Sequence, residues 1–411
     1  MKILNFLKSL GPGLLYAGAA VGVSHLVQST RAGASYGFDL IWILIIANVI
    51  KYPFFEFAPR YASSTGKSLI HGYSKVGKWA LVLYAMLTVA TMFAITAAIA
   101  MVTAGLLNSL VGWSLSTPLL SMIIMVFTML FLMIGKFKTL EGAMKYIILI
   151  LTLSTLVAVV FSFKTSLPVS NHFNWSQTID IAFLIAFLGW MPAPIDVSVW
   201  HSTWTEAKQK NLKAKLDLKS SIQDFKIGYI GTGFLALGFL SLGAFVMYGS
   251  GEELSANSTK FAGQLVRMYT HGLGSWAFYL IGIAAFTTML STSITVMDAY
   301  PRVLKPTFQL LFSKSSSPAE GIDKTYMFWM VLLMIGAWTL ILWSDASMKA
   351  MVDMATTISF VTAPLLAILN YWAVMSIRKE DQPKPWLQIY AWIGMLFLSI
   401  FSVYYIIWKF L

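Results

Sequence analysis

The stretch Gly189-Trp190-Met191-Pro192-Ala193-Pro194-Ile195-Asp196 lies inside a long apolar segment and carries two prolines within three positions. A proline lacks the backbone N–H and clashes with the preceding helical turn, so a continuous helix cannot run through this stretch. In a lipid bilayer, such a break is tolerated only where the freed backbone groups face protein or an enclosed cavity. The stretch therefore predicts an interrupted membrane helix beside a cavity.

The composition of the whole chain indicates that lipid, rather than water, surrounds most of it. Of the 411 residues, 58% are hydrophobic and 11% are charged, whereas soluble domains carry roughly 25% charged residues. Eleven apolar stretches approach the spanning length of about 20 residues, at about 10–29, 37–59, 79–106, 117–135, 139–163, 178–202, 227–249, 274–298, 325–343, 350–376 and 386–408. We number them spans 1 to 11 and expect an all-α membrane protein whose main partner is the lipid bilayer.

The positive charges divide unequally between the two ends of these spans. With the N-terminus and alternate loops assigned to one side, that side holds 21 Lys and Arg and the other side holds 6. Lys and Arg accumulate on the cytoplasmic side of membrane proteins. The bias predicts a cytoplasmic N-terminus and an external C-terminus, in a bacterial-type inner (plasma) membrane. It also accounts for the net charge of +12, so we expect no nucleic-acid partner.

A second interruption is predicted in span 1, where Gly18 and Gly22 precede Ser24 and His25. Spans 1 and 6 are the first members of two halves of five spans each, and an odd number of spans inverts the second half in the membrane. Interrupted helices at corresponding positions of two inverted halves indicate a substrate site near the midplane of a transporter. We therefore expect helices 1 and 6 to unwind around 20–24 and 189–194.

The predicted organisation follows from this repeat. Residues 1–202 hold spans 1 to 6, with the first five-span repeat over about 10–163; residues 203–226 form a basic cytoplasmic linker; residues 227–376 hold spans 7 to 10 and complete the second repeat; and residues 377–411 hold a loop and span 11.

Several short runs, in order along the chain, resemble the NRAMP family of divalent-metal transporters. They are Gly11-Pro12-Gly13-Leu14-Leu15, the run from Ala32 to Leu40, Arg60 with Thr65-Gly66-Lys67, Met191-Pro192, Gly282-Ile283-Ala284 and the run from Ser291 to Thr295. The resemblance implies a LeuT-like fold, which is two inverted five-helix repeats plus an eleventh transmembrane helix. It also implies alternating access and proton-coupled import of a divalent transition metal.

The residues at the family's metal site depart from its pattern. The family's helix-1 signature is Asp-Pro-Gly-Asn, and a gapless alignment puts Gly22, Val23, Ser24 and His25 there, so the carboxylate that binds metal is missing. The acidic residues of the family's helix 3 have no counterpart in 94–105. In helix 6 the family uses a Met thioether and a carbonyl three residues earlier, for which this chain offers Met191 and Leu188.

The resemblance makes Gly22, His25, Leu188, Met191 and Asp196 the candidate substrate site. His25, Met191 and Asp196 are the candidate metal ligands, because imidazole and thioether suit transition metals and Asp196 is the carboxylate closest in sequence to Met191. Two structural alternatives stay open. His25 would instead hydrogen-bond a carbonyl of a neighbouring helix, and Asp196 would instead cap the second half of helix 6.

Two further polar groups lie within the spans. Ser291, Thr292 and Thr295 of span 8 form a candidate second cation site, because hydroxyl and carbonyl oxygens suit a hard cation and because sodium-coupled relatives of the LeuT-like fold use such hydroxyls. Lys51 and Glu56 share span 2, and we expect them to pair with each other, since an unpaired charge is costly in a membrane.

The leading functional hypothesis is a secondary transporter of a metal cation, with a site that departs from the usual transition-metal ligands. The alternative is a LeuT-like symporter of a small non-metal or organic solute, which sodium would couple. The chain has no cysteine for a thiolate metal site and no HExxH motif, and we expect neither an enzyme nor a cofactor other than a transported cation. The sequence predicts no particular oligomeric state.

Overall fold

The structure is a computed structural model, and it describes residues 11–134, 137–163, 173–250, 252, 254–312, 323–344 and 347–410. In this part of the chain all regular elements are helices. Eight of the described helices are long and apolar enough to cross a membrane. The other three of the eleven spans are the two broken spans and span 5, whose apolar described helix covers the shorter range Leu149–Ser162. The basic residues Lys2, Lys8, Lys136, Lys164 and Lys314 lie outside the described residues.

The eleven spans follow one another with short connections. Span 1 comprises the helices Pro12–Ala20, Ser24–Ser29 and Thr30–Tyr36; span 2 is Ile41–Thr65, span 3 Lys78–Val111, span 4 Thr117–Ile134 and span 5 Phe137–Ser162; span 6 comprises Thr178–Trp190 and Asp196–Leu212; span 7 is Leu218–Val246, span 8 Ala277–Phe312, span 9 Lys324–Trp343, span 10 Met348–Met375 and span 11 Pro385–Phe410. Two further helices, Leu69–Val76 and Ser258–Leu273, lie between spans.

The helices of spans 6 and 7 extend into the segment predicted as the linker 203–226. Span 6 ends at Leu212 and span 7 begins at Leu218, so only 213–217 separates them. Asp217 begins span 7 by accepting a hydrogen bond from the backbone N–H of Ser220. The charged residues lower the hydropathy here without preventing helix formation, because Lys, Gln and Glu are good helix formers.

Span 1 packs closely against span 7 along its length, and glycines allow this approach. A Cβ on Gly13 would lie 2.2 Å from the carbonyl oxygen of Asp224, and one on Gly33 would lie 1.9 Å from that of Leu240. The Asp224 carboxylate also accepts from the N–H groups of Gly11 and Gly13, at 3.2 and 2.8 Å. Small residues let membrane helices pack backbone to backbone, so these contacts fix span 1 on span 7.

Both predicted interruptions are present. The first helix of span 1 ends at Ala20, and the chain resumes at Ser24 as a π-helix. A π-helical turn is rare and is frequently found at functional sites. The first helix of span 6 ends at Trp190 and the second begins at Asp196, with the two prolines between them. The prediction that helices 1 and 6 are interrupted is therefore confirmed.

The two ends of the bundle differ. At the end where spans 1, 7 and 11 finish, a wide vestibule of about 2300 Å³, including its open mouth, enters between the spans. At the opposite end, Lys305 of span 8 pairs with Asp323 at the start of span 9 at 2.6 Å, and the Glu206 carboxylate of span 6 accepts from the backbone N–H of Ser68 at 2.8 Å. Three further ion pairs at this end lie within single helices: Glu56–Arg60 at 2.6 Å, Glu206–Lys210 at 2.8 Å and Asp298–Arg302 at 2.7 Å. The hydrogen bond from Lys305 holds the pKa of Asp323 below its ordinary value, so the Asp323 carboxylate stays charged at neutral pH.

Candidate functional site

The break in span 6 is filled by the side chain of Lys51 from span 2. Lys51 is 1% exposed, and its ammonium donates hydrogen bonds to the carbonyl oxygens of Leu188 at 2.5 Å, Gly189 at 2.8 Å and Ala193 at 3.5 Å. The Leu188 carbonyl has no helical partner because Pro192, four residues later, has no N–H, and the carbonyls of Gly189 and Ala193 lie where the helix is interrupted. We call the three carbonyls the carbonyl cage. Lys51 therefore satisfies the backbone that the break exposes.

The expected pairing of Lys51 with Glu56 is wrong. Glu56 instead accepts hydrogen bonds from Arg60 at 2.6 Å and from the Tyr52 hydroxyl at 2.5 Å. Both partners lie four residues away on the same helix, where side chains are neighbours. A five-residue spacing turns Lys51 to another face of span 2, which packs on span 6.

At the break in span 1, the backbone carbonyls accept hydrogen bonds from a neutral side chain. The Thr292 hydroxyl of span 8 donates to the carbonyl oxygens of Gly18 at 3.0 Å and Val21 at 3.4 Å. Gly22 lies against the same side chain, since a Cβ on Gly22 would come within 2.7 Å of the Thr292 methyl group. The carbonyl of Gly22 already accepts from the Leu26 N–H at 2.9 Å. Gly22 thus serves close packing between spans 1 and 8.

His25 is fully buried and its ring nitrogens both have partners. One is 2.7 Å from the Ser24 hydroxyl, and the other is 2.9 Å from the carbonyl oxygen of Thr232 on span 7. This is the arrangement of the structural alternative, in which the imidazole bonds a neighbouring helix. As a metal ligand, His25 would first have to give up one of these two hydrogen bonds.

Met191, at the break in span 6, contacts the π-helix that follows the break in span 1. The side chain is fully buried, and its sulfur accepts from the Ser29 hydroxyl, at the end of the π-helix, at 3.5 Å. Leu188 is buried three residues earlier, and its carbonyl belongs to the carbonyl cage. Met191 and Leu188 therefore both lie at the break, but the Leu188 carbonyl already binds an ammonium group.

Asp196 begins the second half of span 6 and is 4% exposed. Neither of its carboxylate oxygens makes a hydrogen bond within the described part of the chain, so the expected cap on the second half of span 6 is not formed by this side chain. Lys51 and the Tyr300 hydroxyl are among its electrostatic partners. Asp196 also lines a small cavity between spans 3, 6 and 10 that the hydroxyls of Thr88 and Thr362 share. A buried carboxylate with spare oxygens is a strong candidate for binding a cation.

The hydroxyls of span 8 divide into two groups. Thr292 reaches the break in span 1, and the Ser291 hydroxyl next to it donates to the Thr288 carbonyl at 2.9 Å. Thr295 donates to the carbonyls of Ser291 and Thr292 on its own helix, both at 3.0 Å. Across the described residues, no group of three or more His, Cys, Asp or Glu side chains could hold a metal ion.

The family model of the Nramp proteins, described as natural resistance-associated macrophage protein-like, matches residues 13–408. The chain belongs to the Nramp family. Membership makes it a membrane transporter rather than an enzyme. It is a divergent Nramp member: the uncharacterized protein PM0681 of Pasteurella multocida is 34% identical over 404 residues, which are 97% of this chain and 92% of that protein. Metal transporter Nramp6.2 of Populus trichocarpa is 30% identical over 89 residues, 21% of this chain and 16% of that one.

Solved structures support the Nramp fold. A manganese transporter of Eremococcus coleocola superposes with a TM-score of 0.72 at 14% identity, and the match covers 97% of this chain and 85% of that one. MhsT in complex with L-phenylalanine gives a TM-score of 0.66 at 13% identity, covering 96% of each chain. These neighbours establish the LeuT-like fold, with its inverted repeats and eleventh helix.

One sequence run in this Nramp protein matches a hydrolase pattern without its context. Residues 33–37 read Gly-Ala-Ser-Tyr-Gly, as in the G-x-S-x-G nucleophile motif. That motif needs a turn from a strand into a helix, whereas here the run ends the helix Thr30–Tyr36.

Sequence reasoning missed the role of Lys51. The available signal was a lysine within a span, which is costly unless it binds a partner inside the bundle. Its partners, however, are backbone carbonyls 137 to 142 residues away along the chain. Carbonyl acceptors are the same in every residue type, so the sequence does not mark them.

Proposed function

We propose that this protein is a secondary transporter that moves a metal cation across a bacterial-type inner (plasma) membrane by alternating access. The observation that carries the proposal is that Met191, at the break in span 6, contacts the π-helix that follows the break in span 1, between an open vestibule and the end that carries the ion pairs. Interrupted helices at matched positions of an inverted repeat supply backbone carbonyls and helix ends for ions.

The vestibule leads from its open mouth towards the breaks in spans 1 and 6. Its lining includes Arg31 of span 1 and Phe183 of span 6. With a rise of about 1.5 Å per helical residue, Phe183 lies about 7.5 Å along the axis from Leu188. Arg31 lies over the Phe183 ring at 5.1 Å and pairs with Asp353 at 2.7 Å. This layer forms the floor of the vestibule, and we propose that it separates the substrate site from the outside.

The orientation follows from the charge bias, which predicts a cytoplasmic N-terminus and an external C-terminus. The vestibule then opens outward and the ion-paired end faces the cytoplasm. Transport requires the ion-paired end to open while the vestibule closes.

For the cation site we propose Met191, Asp196 and the Leu188 carbonyl of span 6, facing Gly22 at the break in span 1, with His25 recruited if it leaves Ser24 or Thr232. The manganese transporter among the structural neighbours and the metal transporter Nramp6.2 support a metal substrate. Asp196 supplies the main fixed negative charge of this site, because spans 1 and 3 carry no acidic residue, and its oxygens make no hydrogen bond in the described structure that a cation would have to displace.

The test is uptake of manganese, supplied at a concentration high enough for a weakly bound ion to enter, by proteoliposomes that carry a pH-sensitive dye inside. Asp196→Asn should lower uptake at least about tenfold, because a dehydrated cation loses its charged partner in a low-dielectric site. Asp217→Asn is the matched control, since Asp217 caps span 7 at the surface, and it should keep uptake within about twofold. Equal uptake by Asp196→Asn and the wild type would remove Asp196 from the site. The acid-free segment 94–105 of span 3 also predicts little internal acidification during uptake.

One observation favours a second candidate function, a LeuT-like symporter of a small non-metal or organic solute that sodium couples. Around the break in span 1, the Thr292 hydroxyl oxygen lies 3.0 Å from the Gly18 carbonyl oxygen, 3.4 Å from that of Val21 and 3.1 Å from that of Thr288, and the Ser291 hydroxyl is adjacent. Hydroxyl and carbonyl oxygens without a carboxylate suit a hard monovalent cation. We therefore propose Ser291 and Thr292, together with Thr295 about one turn further along span 8, as the second cation site.

Sodium dependence separates the two functions. For the symporter, sodium chloride should raise the midpoint of thermal unfolding in detergent above the value in potassium chloride, and Thr292→Val should remove the difference. Thr287→Val is the control, because its hydroxyl donates only within span 8 and points to the surface. An equal midpoint of thermal unfolding in both salts would argue against the sodium-coupled symporter and in favour of the metal-cation transporter.

A further inference from the structure

The ammonium of Lys51 occupies the place where a cation substrate would meet the backbone of span 6. An ammonium group has three N–H donors, and three carbonyl oxygens at 2.5, 2.8 and 3.5 Å accept from it. The side chain is 1% exposed, so water does not compete for these bonds. Lys51 thus resembles a bound monovalent cation that is covalently attached to span 2.

A transported cation would need the same oxygens. The Leu188 carbonyl is a candidate ligand of the proposed site, and it is also the closest acceptor of Lys51. Two cations cannot share these oxygens without strong repulsion, because charges interact strongly away from water. We propose that Lys51 is a specificity-determining residue, whose ammonium occupies the carbonyl cage and disfavours divalent metal ions. This inference rests on the proposed function, since it concerns the same site.

The charges around the carbonyl cage also disfavour a divalent ion. Lys51 carries the opposite charge to the Asp196 carboxylate and is near enough to act on it, so its ammonium offsets the attraction of that carboxylate for an incoming cation. A divalent ion that entered beside them would remain uncompensated, whereas a monovalent cation or a neutral solute would suffer a smaller penalty. Without Lys51, the Asp196 carboxylate would be left for the incoming ion, and the carbonyls of Leu188 and Gly189 would be free.

The test compares direct binding of manganese ions to the purified protein, read from the electron paramagnetic resonance signal of free Mn²⁺. Lys51→Gln removes the charge and keeps two N–H donors for the cage, Lys51→Met removes both charge and donors, and Lys51→Arg keeps the charge. The matched control is Lys305→Met, since Lys305 is also buried but pairs with Asp323 at the opposite end. Size-exclusion chromatography checks the fold of every variant.

We expect Lys51→Gln and Lys51→Met to bind Mn²⁺ at least tenfold more tightly than the wild type, and Lys51→Arg and Lys305→Met to match the wild type. If one neutral variant fails to fold, the other decides the comparison. Affinities that stay within twofold of the wild type would overturn the inference, as would an equal rise in Lys305→Met. So would a wild-type Kd below about 10 µM, which corresponds to about −7 kcal/mol and does not depend on any variant.

This binding assay is independent of transport. If no variant takes up manganese or any other cation in proteoliposomes, the proposed function fails while the binding comparison still decides the role of Lys51. If uptake is normal and the Lys51 variants bind like the wild type, only the inference about Lys51 fails.

Discussion

The breaks in spans 1 and 6 lie at matched positions of the inverted repeat, yet different chemistry holds them. In span 1 the carbonyls of Gly18 and Val21, at the break, accept hydrogen bonds from the neutral hydroxyl of Thr292. In span 6 the carbonyls at the break accept hydrogen bonds from the charged ammonium of Lys51. A hydroxyl leaves the charge of the break unchanged, whereas an ammonium adds a full positive charge. The fold therefore requires a break at each position, while the partner of each break sets the electrostatics of the site.

The packing around the two breaks differs as well, and the largest expected effect on stability follows from this difference. A Cβ on Gly189 would lie 2.1 Å from the backbone carbonyl oxygen of Thr356. Because backbone atoms of span 10 cannot move aside cheaply, Gly189→Ala should cost about 3 kcal/mol, at the upper end for overpacking. The measurement is the midpoint of thermal unfolding in detergent.

Gly231→Ala is the control for this substitution. Gly231 lies at an exposed position in the helix of span 7, and an added Cβ would meet no atom within 4 Å. Alanine is the better helix former, so this variant should be as stable as the wild type or slightly more stable. If Gly189→Ala were as stable as Gly231→Ala, spans 6 and 10 would have to lie further apart at Gly189 than the distance to Thr356 implies.

At the break in span 1, the corresponding substitution should cost less. A Cβ on Gly22 would lie 2.7 Å from the methyl group of Thr292, which is a side-chain atom that is able to shift. Gly22→Ala should therefore cost about 2 kcal/mol. Thr292→Ser removes the methyl group and keeps the hydroxyl, so the double variant should recover part of the loss. The double-variant cycle measures this coupling, and simple additivity of the two losses would exclude the contact.

The smallest expected effect concerns His25. Because its ring nitrogens bond Ser24 and the Thr232 carbonyl, His25→Gln should lower stability by about 1 kcal/mol, the value of one hydrogen bond. It should change the Kd for Mn²⁺ by less than about threefold, or about 0.6 kcal/mol. A loss of Mn²⁺ affinity as large as that of Asp196→Asn would instead make His25 a metal ligand.

The sequence was sufficient to predict both breaks. The two prolines at 192 and 194 remove backbone donors, and the glycines at 18 and 22 allow close packing, so local chemistry alone indicates where the helices end. The resemblance to the Nramp family supplied the inverted repeat and the eleventh helix. These features depend on residues that are near one another in the chain.

The partners of the breaks were not predictable in the same way. Thr292 acts on Gly18 from 274 residues away, and Lys51 acts on Leu188 from 137 residues away. The sequence favoured Glu56 as the partner of Lys51 because both lie on span 2, but tertiary packing gave Lys51 the carbonyls of another span. Similarly, nothing local indicated that Thr232 would accept a hydrogen bond from His25.

The central claim is that the two breaks form the cation site and that Lys51 controls access to it. The most direct measurement is anomalous scattering from crystals of the wild type and of Lys51→Gln soaked in the same manganese solution. The account predicts a manganese peak between Gly22 and Met191 in the variant, and a much weaker peak or none at that position in the wild type. Equal peaks in both crystals, or a manganese peak only at a distant position, would contradict it.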